Sequence, residues 1–99
     1  MNAWKRPGDQ YVMALDFATW PLQSGETLVA SNARGSLSIT AVDDLGADMA
    51  TMLEPPAIVG TEVRWLIKGG TAGRQVTVRV TAPTSDDELL TDEVRVRVI

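Results

Sequence analysis

TEVRWLIKGGTAGRQVTVRVTA, residues Thr61 to Ala82, reads as two alternating strands around a glycine-rich turn. Val63, Trp65 and Ile67 leave one face while Glu62, Arg64 and Lys68 leave the other, as successive side chains of a strand must. Val76, Val78, Val80 and Ala82 repeat the pattern against Thr77, Arg79 and Thr81. Between them, Gly69-Gly70-Thr71-Ala72-Gly73 is a structural turn in which at least one of Gly69, Gly70 and Gly73 is expected at positive φ. Two half-buried strands of this kind place the chain in the all-β class, with one apolar face per sheet.

Working outward, the same alternation marks a strand over Gln10 to Phe17, one over Ser36 to Val42 and a last one over Thr91 to Val98. Leu28 to Ser31 reads as a short second strand. Ala47 to Leu53 reads as a short strand or an irregular edge, closed by Glu54-Pro55-Pro56 because proline disfavours helix at the residue before it. With strands from Thr61 and over Arg74 to Ala82, about seven strands at roughly 8 to 12 residue spacing predict an antiparallel two-sheet sandwich of the immunoglobulin or fibronectin type III kind. A small barrel is the alternative. The expected core includes Leu15, Phe17, Leu37, Ile39, Trp65 and the valines of the last two strands. The domain is expected to span residues 8–99, and residues 1–7, with Pro7 as a breaker beside Gly8, read as a flexible N-terminal arm. Deleting that arm is then expected to leave the melting temperature within a few degrees.

The chain has 99 residues, room for one core that buries roughly 60 to 70% of the unfolded surface. It contains no cysteine and no histidine, so disulfides, thiolate metal sites and the usual general base are all missing. A formal charge of −4 has the wrong sign for gripping phosphates, which sets nucleic acid aside. No apolar run approaches the ~20 residues of a membrane span, and Met1 to Gln10 lacks the apolar region of a signal peptide.

The glycine turn is not a phosphate loop, because a strand rather than a helix follows Gly73. Asp43, Asp44 and Asp48, or Asp86, Asp87, Glu88 and Asp92, lack calcium-ligand spacing and read as solvated loops. Asp16 and Glu26 have nothing to mark them as a catalytic pair. Neither a metal nor a cofactor is expected. Trp4 and Trp20 stand outside the regular strands, where an exposed tryptophan can carry binding energy. With the neighbouring Lys5 and Arg6 they form the candidate interface residues, while Trp65 alternates with core residues.

The stretch from Glu62 to Ala82 resembles the E strand, corner and F strand of fibronectin type III domains, with Val76 where that pattern has a tyrosine. A closer similarity is to small immunoglobulin-like structural proteins of tailed bacteriophages, of the fibre-tail or head-tail adaptor type. It rests on the opening Lys5, Pro7 and Asp9, then Asp16-Phe17, Glu26-Thr27-Leu28, and the run Ile67-Lys68-Gly69-Gly70-Thr71-Ala72-Gly73 before a valine-rich last strand. The resemblance implies a non-enzymatic structural or adaptor protein of a phage or prophage particle. Its partners would be other phage structural proteins, with self-association as a further option, and its place the virion, or the host cytoplasm during assembly. The alternative, a carbohydrate- or surface-binding module, usually needs an aromatic platform. The outward positions here carry Arg64, Arg79, Arg95 and Arg97 instead.

Overall fold

The computed structural model describes residues 2–18 and 25–99. In chain order the strands are β1 (Asn2–Lys5), β2 (Tyr11–Asp16), β3 (Ser31–Asn32), β4 (Gly35–Ser36), β5 (Ser38–Asp43), β6 (Ala57–Val59), β7 (Glu62–Ile67), β8 (Gln75–Pro83) and β9 (Leu89–Val98). Among the described residues a single 3-10 turn, Ala50–Met52, interrupts them. The protein is all-β. Four strands form one sheet in the order β1-β9-β8-β5, three form a second in the order β2-β7-β6, and β3-β4 is a small hairpin.

Alternation explains which faces are buried. Met13, Leu15 and Phe17 meet Val63, Trp65 and Ile67 on the inner side of the smaller sheet, and the alternate valines of β8 and β9 form the inner side of the larger one. All of these belong to one apolar cluster. Leu37, just before β5, and Ile39, within that edge strand, are only partly buried against that cluster. On the outer faces Arg64 pairs with Glu62 at 2.6 Å and Arg79 with Glu93 at 2.6 Å, exposed contacts of little energetic weight.

Several elements differ from the sequence expectation. The expected strand over Leu28 to Ser31 is reduced to one bridge, Leu28 to Thr84, before the β3-β4 hairpin, since its backbone binds the end of β8 through Val29 N–H to the Pro83 carbonyl. Ala47 to Leu53 holds the 3-10 turn, and the Asp48 carboxylate just before it accepts from Ala50 N–H. The edge strand of the smaller sheet is β6, just beyond Pro55-Pro56, where the alternating pattern marks no strand. Pairing is antiparallel throughout the two larger sheets except that β1 runs parallel to β9. The stretch read as an arm separate from the domain is thus, over Asn2–Lys5, a strand of the larger sheet. Backbone pairing supplied what the local sequence, with its breakers, did not announce.

The turn between β7 and β8 has φ of +65° at Gly69, +99° at Gly70 and +88° at Gly73. Space separates them. A Cβ at Gly70 would lie 3.0 Å from both Met52 Cε and Val98 Cγ2, whereas at Gly69 and Gly73 it would meet nothing within 4 Å. Gly70→Ala is therefore expected to cost about 2 to 4 kcal/mol, backbone strain plus overpacking, and Gly69→Ala about 1 kcal/mol. Urea titrations of the two variants compare them directly. Equal midpoints would mean that contact with Met52 and Val98 has no energetic weight.

Candidate functional site

The residues after β1 turn sharply into β2. Asp9 closes this turn twice, its N–H donating to the Arg6 carbonyl at 3.0 Å and its carboxylate accepting from Arg6 N–H at 3.2 Å. Lys5, at the end of β1, points inward and is 1% exposed. Its ammonium donates to the carbonyls of Gly69 at 2.6 Å, Arg6 at 2.7 Å and Pro7 at 3.3 Å, which uses all three of its protons. Burial lowers the Lys5 pKa from its ordinary value, and the Asp9 carboxylate works in the opposite direction. Sequence reasoning took Lys5 as an interface residue. In the fold its long stem is covered and its ammonium ties the Gly69 corner to the end of β1.

The corner also binds the end of the larger sheet. Gly73 N–H donates to the Val98 carbonyl and Ile99 N–H to the Lys5 carbonyl, both at 2.8 Å. Tyr11 Oη donates to the Trp4 carbonyl at 2.8 Å, and burial, followed by the Asp9 charge, raises the Tyr11 pKa so that the phenol keeps its proton. This bond covers one outward carbonyl of the β1 edge. On the opposite edge, Met49 N–H donates to the Ala41 carbonyl and Asp43 N–H to the Ala47 carbonyl. Both margins of the larger sheet are partly blunted against strand addition, which leaves its outer face as the accessible surface.

On that face the Trp4 side chain is 65% exposed, and the Arg97 guanidinium carbon lies 5.8 Å from its ring centroid. The parallel register sets Asn2 beside Arg95 and Trp4 beside Arg97, and the antiparallel register sets Gln75 across from Arg97. Together these side chains and Ala3 line a shallow groove of about 310 Å³. A second hollow of about 520 Å³, lined by Asn2, Thr91, Asp92, Glu93 and Arg95, continues it along β9. Trp4 is the one aromatic among the large apolar side chains exposed in the described residues.

The candidate interface residues thus separate. Trp4 is exposed on the sheet face, Arg6 is exposed in the turn, Lys5 is internal, and Trp20 lies outside the described residues. Arg95, Arg97 and Gln75 were missing from that set. Their signal was present in the outward positions of the last two strands, but without β1 in the sheet nothing placed them next to Trp4. The acidic runs serve the backbone: Asp43 caps Leu45 and Ala47 N–H, and Asp87 accepts from Ala33 N–H.

The family model described as Podophage GP4 fiber-tail adaptor protein gp77 matches residues 5–97. Comparison with curated proteins gives no significant match.

Proposed function

We propose a mode of action for this chain, which belongs to the Gp77 family of podophage fiber-tail adaptor proteins, in which a rigid sheet face does the joining. Membership makes the chain a structural adaptor of a phage particle that meets other phage structural proteins. The finer reading is that it works by contact alone, joining fibre to tail without catalysing a reaction, and that it is made in the host cytoplasm before assembly. Its lack of histidine and cysteine, the commonest general base and thiol nucleophile, supports that reading.

The domain is further read as an immunoglobulin-type sandwich. Support comes from strand order: β2-β7-β6 corresponds to neighbours B, E and D of that fold, and β5-β8-β9 to C, F and G. In this assignment β1 extends the second sheet at its G edge. The observation that carries the functional reading is the family match over residues 5–97, which begins at the lysine that locks the Gly69 corner.

Particles made by a phage lacking this gene test the adaptor role. Electron microscopy is expected to find tails without fibres, and adding the purified protein to such tails together with fibres is expected to restore attachment. Fibres attached in the protein's absence would refute it.

A further inference from the structure

The cations of this chain are mostly engaged. Lys5 is bound to three carbonyls, Arg34 donates to the Asp87 carbonyl, and Arg64, Lys68, Arg74 and Arg79 each face a carboxylate. Arg6, exposed in the turn after β1, and the pair Arg95 and Arg97 on the sheet face stand apart. Among the described residues the Arg95 guanidinium has no hydrogen-bond or ion-pair partner, and the contact of Arg97 is the face of Trp4. Both are exposed on the same side of β9, two residues and so roughly 7 Å apart, in a protein whose net charge is −4. A basic pair concentrated on one face of an acidic protein selects its partner by charge, and an exposed tryptophan beside it supplies apolar contact area.

We propose that the groove between Trp4 and Arg95 receives an extended segment of another protein of the particle, carrying two carboxylates one residue apart. This rests on the adaptor reading above and adds the chemistry of the occupant. The carboxylates pair with Arg95 and Arg97, whose planar forks suit bidentate contact. The intervening or following side chain lies on the Trp4 ring, and Asn2 and Gln75 offer amides to the segment's backbone. Sheet addition is not required, since Tyr11 already holds the Trp4 carbonyl.

The test uses the intact protein with purified fibres and with tails from phage lacking the gene. Arg95→Glu/Arg97→Glu is expected to weaken binding to one of the two by about tenfold or more, and Trp4→Ala to do so at the same partner. Arg95→Lys/Arg97→Lys, which keeps the charge, is expected to lose less. All three variants alter exposed side chains, so unchanged melting curves are the control. A photo-crosslinker at Gln75 identifies the occupant, expected to be a fibre or tail peptide with two acidic residues separated by one. Cross-linking to nucleic acid, to a second copy of this chain or to a segment without paired acids would overturn the proposal. So would full binding by the charge-reversed variant, and that result leaves the adaptor reading standing. Failure of the unmodified protein to bind either component overturns both.

Discussion

Val78→Asp is expected to abolish cooperative thermal unfolding at neutral pH. Val78 sits on β8, the strand between β5 and β9, opposite Ala41 on one side and Val94 on the other, and it is 0% exposed. The inner face around it is aliphatic, and its cationic neighbour Arg79 points to solvent. A carboxylate there must either protonate or drag water into the core. Either outcome costs more than about 4 kcal/mol, while domains of this size have about 5 to 15 kcal/mol in total. Circular dichroism melting of the variant beside the parent checks this. A soluble variant with an unchanged transition would mean that β8 is not central to the fold.

Removal of residues 1–7 has the second largest expected effect. The sequence alone led to the opposite expectation, that the protein would scarcely notice. In the structure this segment supplies β1, whose four residues pair in register with Arg95 to Val98. It also supplies Lys5, with its bond to the Gly69 carbonyl, and the carbonyl that Ile99 N–H binds. Each hydrogen bond contributes about 0.5 to 1.5 kcal/mol net, partly offset by the backbone entropy of ordering a short strand. A net loss of about 2 to 3 kcal/mol lowers the melting temperature by about 10 °C or more in a domain this small. The deletion also bares the β9 edge to other chains, so faster aggregation is expected alongside. A truncated protein that melts with the parent would mean that β1 is dispensable. The deletion takes Trp4 as well, so it removes one wall of the groove together with β1.

Reading β2, β5, β7, β8 and β9 from the chain was possible because each buries one face, and burial writes an alternating pattern into the residues themselves. Trp65 and the valines of β8 and β9 were legible as core for the same reason. The strands that were missed or misplaced are short and lie at edges. For β1 and β6 the stabilisation is mainly hydrogen bonding to a neighbouring strand, which any backbone can make, so residue type carries little information about it. Ala47 to Leu53, rich in alanine and methionine, was ambiguous because its conformation depends on Met52 filling the space beside Gly70.

The candidate site divides in the same way. Sequence patterning determined that this is an all-β protein, which side chains of its long strands face outward, and that its glycine turn is a structural element; the similarity of its opening and turn motifs determined the family. Only the tertiary structure decided that Lys5 is an internal anchor and Trp4 a surface residue, although they are adjacent. Their fates follow from the parity of a strand whose very existence depended on β9. Only the tertiary structure, too, joined the two distant motifs, by placing the Lys5 ammonium 2.6 Å from the Gly69 carbonyl. A contact across 64 residues of chain has no local signature, because it is made by the packing of elements that each form for other reasons.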